Sequence, residues 1–191
     1  MHGFISTRVM VASLLIALPM AGLSVASNFP PQIKAGNHRL VLNGWGPRTK
    51  FFLELYEAGL YVTKAQSNPT VIADADEPMA IRVKITSSMV SRTKLMQSLN
   101  DGFQTVTKGK LEPIQNGVNQ FRSFLSEDVK SGDRFDFVYL PRHGLVINKN
   151  GQFKGVVPGL AFKQALFNIW LSNEPVDATL KQAMLKGAVQ R

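Results

Sequence analysis

Two periodicities divide this chain. Met79 to Thr86 alternates as a strand does, with Ile81, Val83 and Ile85 on one face and Arg82 and Lys84 on the other. Asn28 to Gly36, with its two prolines, reads as an irregular lead-in, and His38–Gly44 as a short strand. A glycine-rich corner, Gly44-Trp45-Gly46-Pro47-Arg48, is expected next. Lys50–Val62 is read as a single strand, with Phe51, Leu53 and Leu55 on one face and Lys50, Phe52, Glu54 and Tyr56 on the other. Large apolar groups on both faces suggest a central strand, partly covered on each side. A short helical turn fits between Asn68-Pro69 and Pro78.

The period then lengthens to that of a helix. Leu95, Met96, Leu99 and Phe103 form one apolar face behind a cap at Ser88 or Ser91, and Ile114, Val118, Phe121, Leu125 and Val129 form a second. Ser131-Gly132-Asp133 ends that helix. Phe135, Phe137 and Tyr139 open a three-strand meander through Leu145–Asn148 and Gln152–Val157, with Asn150-Gly151 as a tight-turn signal. A helix with Phe162, Leu166, Ile169 and Trp170 on its buried side follows, then a last one capped by Asp177. Strands, two helices, three strands and two helices predict an α+β fold, an antiparallel sheet with helices on one side.

Composition narrows the chemistry. The chain has 191 residues, 45% of them hydrophobic, with 12 Phe and 2 Trp, which suits one domain with a real core and argues against disorder. It has no cysteine, which excludes disulfides, cysteine-ligated metals and thiol nucleophiles. Met1–Arg8 is short and polar, Val9–Val25 is apolar and broken by Pro19, and Ser24-Val25-Ala26 supplies a small-residue exit. That pattern predicts a secretory signal cleaved after Ala26 and a single domain over residues 27–191, placed in a periplasm or secreted.

The 22 Lys+Arg against 13 Asp+Glu give a formal charge of +9, which favours anionic partners. The cations are scattered, without the aromatic interleaving of a nucleic-acid platform, so no nucleic acid is expected. Small organic anions, or peripheral contact with an anionic membrane surface, fit the charge and the compartment better. His38 and His143 have no metal-ligand spacing, and neither a metal nor a cofactor is expected. No nucleophile elbow, phosphate loop or zinc-protease helix is present. Arg48 stands out, at the mouth of an aromatic run, where it could hold a carboxylate or phenolate with Phe51, Phe52 and Tyr56 as walls. Pairing with Glu54 or Asp133 is the competing reading of the same residue.

Leu42-Asn43-Gly44-Trp45-Gly46-Pro47-Arg48 through Gly59-Leu60-Tyr61, together with Phe162–Leu171 and Glu174–Lys181, resembles bacterial chalcone isomerase-like proteins. The resemblance implies an open-faced β-sandwich, a large antiparallel sheet backed by a layer of helices, with a cleft between them. It spans isomerases that cyclise chalcones and non-catalytic fatty-acid-binding proteins. In both, an arginine at the place of Arg48 holds the anion, phenolate or carboxylate. The binding proteins carry a tyrosine where this chain has Tyr56 and the isomerases a threonine. The helical tyrosine of the isomerases falls at Thr93, its companion asparagine at Asn100, and a Ser/Thr that shapes isomerase specificity at Lys163.

These matches favour an exported, non-catalytic protein binding a fatty-acid-like molecule through Arg48, Tyr56, Phe52, Asn100 and Thr93. An intramolecular lyase or isomerase acting on a phenolic substrate is the alternative. A ligand-free scaffold or envelope-complex partner is the third reading. Read as straight strand, the eight residues from Arg48 to Tyr56 span ~26 Å at about 3.3 Å each. The two side chains then meet only if the chain bends sharply near Pro47–Lys50, which makes Arg82 and Lys84 the reserve anion contacts.

Overall fold

The structure, a computed structural model, describes residues 28–187. The expected export signal over residues 1–26 lies outside the described residues. Seven antiparallel strands form one curled sheet in chain order: β1 (Gln32–Ala35), β2 (His38–Lys50), β3 (Leu53–Val62), β4 (Met79–Ile85), β5 (Arg134–Leu140), β6 (Gly144–Lys149) and β7 (Gln152–Val157). Helix α1 (Pro69–Asp74) joins β3 to β4. Helices α2 (Arg92–Thr107) and α3 (Gln115–Phe124) join β4 to β5, and α4 (Leu160–Leu171) and α5 (Ala178–Met184) follow β7.

Alternation along the strands sorts the two faces of the sheet. Tyr56, Ala58, Leu60 and Val62 of β3, Ile81, Val83 and Ile85 of β4, and Phe135 and Phe137 of β5 point into the main core against the helices. The intervening Tyr61, Ala80 and Val138 belong to a smaller cluster on the other face, which Phe29 and β1 cover. The lead-in is thus partly a strand. Its residues Ile33 and Ala35 pair with Leu40 and His38, so the sheet gains an edge that the two prolines at its start disguise.

Three of the helices, α1, α2 and α5, carry a side-chain cap at their start, whereas α3 and α4 begin without one. Asn68 caps α1 by accepting from Thr70 and Val71, Ser91 caps α2 by accepting from Lys94, and Asp177 caps α5 by accepting from Leu180. Buried residues lie on several sides of α4, among them Phe162, Leu166, Phe167, Ile169 and Trp170. This is the pattern of a helix sunk in the core rather than laid on its surface. The second apolar face yields a shorter helix than its spacing suggests, because Ile114 sits in a 3-10 turn and α3 ends at Phe124.

Two further expectations are corrected. Gly44–Arg48 is not a corner, since β2 runs through it with Pro47 paired to Glu57. Its glycines serve helix packing: a Cβ on Gly44 would stand 2.2 Å from the Ala183 carbonyl oxygen, and one on Gly46 2.7 Å from the Ala183 Cβ. Only glycine lets α5 lie this close to the strand. Between them in purpose is buried Asn43, at an irregularity in the β2–β3 pairing. Its amide donates to the carbonyls of Gln66 and Met184 at 2.8 Å and accepts from the Gln66 amide, tying both neighbours to β2.

The second correction concerns the run Lys50–Val62, which is not one strand. Lys50 pairs with Leu53, and Phe51 and Phe52 form a two-residue turn with φ of 50° and 64°. The chain therefore reverses between Arg48 and Tyr56, and the ~26 Å separation of a straight strand does not arise.

Candidate functional site

The reversal makes Arg48 and Tyr56 direct cross-strand partners on adjacent strands. Side chains in that relation share a face and stand about 5 Å apart at Cβ. The register slips between Arg48 and Thr49, so Leu55 has no partner on β2 and its carbonyl accepts from the amides of Thr86 and Ser87 instead. That bulge sets the twist of the hairpin as it leaves the sheet.

Tyr56 points into the core and is 5% exposed. Its hydroxyl accepts from Trp170 Nε1 at 3.0 Å, which fixes the phenol against α4. Burial raises its pKa above the usual 10, partly opposed by the neighbouring Arg48 guanidinium. The phenol stays protonated at neutral pH, and among the described residues no acceptor takes its hydroxyl hydrogen.

Arg48 is half-buried, with its guanidinium carbon 5.5 Å from the centre of the Tyr56 ring. One nitrogen donates to Ser98 Oγ of α2 at 2.9 Å. Neither Glu54 nor Asp133 pairs with it; Asp133 instead faces Lys149 at 3.3 Å. Among the described residues the ion pairs lie elsewhere, and Arg48 has no carboxylate partner. A guanidinium has five N–H donors in a fixed fork, so Arg48 retains donors for a further acceptor.

Three hollows meet around these groups. The first, about 20 Å³, is closed between the sheet and helices α2 and α4, with Tyr56, Val83, Leu99, Phe137, Ile169 and Trp170 among its lining residues. It exceeds the roughly 10–15 Å³ that one water needs but cannot hold an alkyl chain. The second is an open cleft of about 410 Å³ between the hairpin and α2, walled by Arg48, Phe51, Leu53, Leu55, Met89 and Leu95 and rimmed by Lys50 and Lys94. A third, about 330 Å³, lies on the other flank of Arg48, toward Ile169 and Pro175. Arg48 and Ser98 line both open clefts, and Ser98 and Tyr56 also line the closed one. The second cleft is within the ~300–1,000 Å³ range of small-molecule sites.

The other residues named from sequence are placed apart. Phe52 is fully exposed at the turn and lines none of these hollows, because a two-residue turn projects its second side chain into solvent; Phe51 lines the cleft instead. Thr93 is exposed near the start of α2, away from the hollows. Asn100 accepts from Arg122 at 3.0 and 2.6 Å and joins α2 to α3. Arg82 pairs with Asp136 at 2.5 Å and Lys84 donates to the Gly132 carbonyl, so neither reaches Arg48.

Lys163 is buried, and its ammonium donates to the carbonyls of Ile72, Ala73 and Ala75 at 3.2, 2.8 and 2.7 Å. It closes the C-terminal end of α1 and is pushed down to about 8 by desolvation. Sequence reasoning missed Ser98 and Leu95 as cleft residues. Their spacing marks them only as helix positions, and what brings them to Arg48 is the hairpin across from them.

Comparison with known proteins agrees with this architecture. A family model described as chalcone isomerase-like matches residues 23–186. The crystal structure of a fatty-acid binding protein from Arabidopsis thaliana superposes with a TM-score of 0.62 at 17% sequence identity, covering 83% of this chain and 91% of that one. At that identity the likeness is one of fold. No curated protein sequence matches the chain.

Proposed function

The chain belongs to the chalcone isomerase-like family, and we propose that it binds an apolar small molecule with an acidic end, a fatty acid being the type. The observation that carries this reading is Arg48: a half-buried guanidinium with no carboxylate partner among the described residues, beside an apolar cleft of about 410 Å³. The acid end would take the free donors of Arg48, and the chain would lie along Leu53, Leu55, Met89 and Leu95. The cleft also carries Lys50 and Lys94, which draw an anion toward Arg48. The fatty-acid binding protein of like fold lends support of the same kind. Export under the signal at residues 1–26 is part of the proposal.

Isomerisation of a phenolic substrate draws less support. Thr93 is exposed, and Asn100 is engaged by Arg122. A ligand-free scaffold is favoured by one observation, the closed interior of only about 20 Å³ between sheet and helices. Denaturing the purified protein and identifying released small molecules by mass spectrometry separates these readings. Release of a long-chain acid in near-equal amount to protein supports binding. A clean extract, with no uptake of added acid, supports the scaffold.

A further inference from the structure

The turn that brings Arg48 to Tyr56 is built from the wrong residues for its shape. Two-residue hairpin turns with both φ positive favour Asn-Gly or Asp-Gly, because a side chain in that region crowds the backbone. The chain follows this rule at Asn150-Gly151, with φ of 54° and 82°. At Phe51-Phe52 it puts two bulky aromatics into the same geometry, and they gain no burial there: Phe51 is 82% exposed and Phe52 102%. Leu53 and Met89 beside them are each about half exposed and share the wall of the cleft with Phe51. Lys50 reaches over the Phe51 ring at 5.6 Å, and Lys94 stands on the facing helix.

We propose that the hairpin tip Lys50–Leu53, with Met89, docks the protein on an anionic lipid bilayer and opens the Arg48 cleft toward it. The inference rests on the ligand reading for what the docking is for, and on the tip alone for the docking itself. A projecting tip two side chains wide cannot supply the ~800 Å² per partner of a stable protein interface. It does suit the bilayer interface, where aromatic rings settle among acyl chains and lysines lie at the headgroups. The carboxylates Glu54, Asp101 and Asp177, the last accepting from the Thr49 amide at 3.3 Å, match Arg48, Lys50 and Lys94 in number near it. The attraction to an anionic surface therefore comes from the +9 of the whole chain. An acyl anion leaving the bilayer would pass Lys50 and Lys94 before reaching Arg48.

The test is co-sedimentation with vesicles of phosphatidylcholine and phosphatidylglycerol in equal parts, set against vesicles of phosphatidylcholine alone. The wild type should bind the mixed vesicles, less so at raised salt, and the neutral ones weakly. Phe51→Asn with Phe52→Gly replaces the tip by the residues its geometry prefers, so Tm should hold or rise. Vesicle partitioning should fall by about tenfold or more. Vesicle binding equal to wild type in that variant, or no binding by the wild type, overturns the inference. So does self-association of the wild type in analytical ultracentrifugation that the variant abolishes, with vesicles ignored by both. Palmitate titration without vesicles keeps the two readings apart. Palmitate bound but vesicles ignored removes the docking alone; vesicles bound through the tip with no palmitate uptake removes the ligand reading alone.

Discussion

Tyr56→Phe removes one oxygen from a side chain that lines both the small interior hollow and the cleft beside the hairpin. In the wild type that oxygen accepts the indole N–H of Trp170 at 3.0 Å, with both side chains buried. A neutral hydrogen bond contributes about 1 kcal/mol, but a buried donor left without an acceptor costs about 1–3 kcal/mol. The variant should therefore lose about 1–3 kcal/mol, roughly 2–12 °C in Tm for a chain of this length. Trp170→Phe also loses the bond but adds a cavity, so the pair is isolated by the double-mutant cycle, with a coupling of about 1 kcal/mol. pH gives an independent readout. The folded hydroxyl has a pKa above its unfolded value near 10. Between the two values the folded chain holds the proton that the unfolded chain has lost, so stability falls as pH rises through that window. Urea unfolding of the four proteins at pH 7 and across pH 9 to 11 measures both effects. A coupling of zero, or a variant as stable as wild type at pH 7, refutes the account of the buried pair.

Two further outcomes follow from the packing. Gly44→Ala sets a Cβ 2.2 Å from the Ala183 carbonyl oxygen and forces α5 off β2, so it should cost about 1–3 kcal/mol or more in urea unfolding. Full stability in that variant would show that α5 does not bear on the strand. Lys163 has a folded pKa lowered from 10.5 to about 8, so between those values the unfolded chain holds the extra proton and stability rises with pH. Relative to Lys163→Met, the wild type should gain about 1–2 kcal/mol from pH 8 to 10.5 once screening is allowed for. A pH-independent difference would mean that the ammonium is not desolvated.

The sequence and the structure agree best where one local signal suffices. Leu95, Met96, Leu99 and Phe103 mark α2, and Ser91 and Asp177 mark helix starts, because helix period and caps are set within a few residues. Asn150-Gly151 announces its turn, whereas Phe51-Phe52 hides an equivalent one behind aromatic side chains that read as strand. That single misreading extended β3 backward and moved Arg48 away from Tyr56. The glycines of Gly44-Trp45-Gly46 look like a corner, since glycine serves close packing as well as turning and sequence does not separate the two uses. Lys163 could not be assigned its partners, since the carbonyls it holds lie about ninety residues earlier in the chain.

The central claim is that Arg48 anchors the acid end of an apolar ligand. It is tested most directly by isothermal titration of palmitate into the wild type and Arg48→Gln, with methyl palmitate as the uncharged comparison. Loss of charge-assisted hydrogen bonds worth ~1.5–3 kcal/mol should raise the Kd for palmitate about ten- to a hundredfold and leave the ester nearly unaffected. An equal Kd for palmitate in the two proteins would contradict the claim.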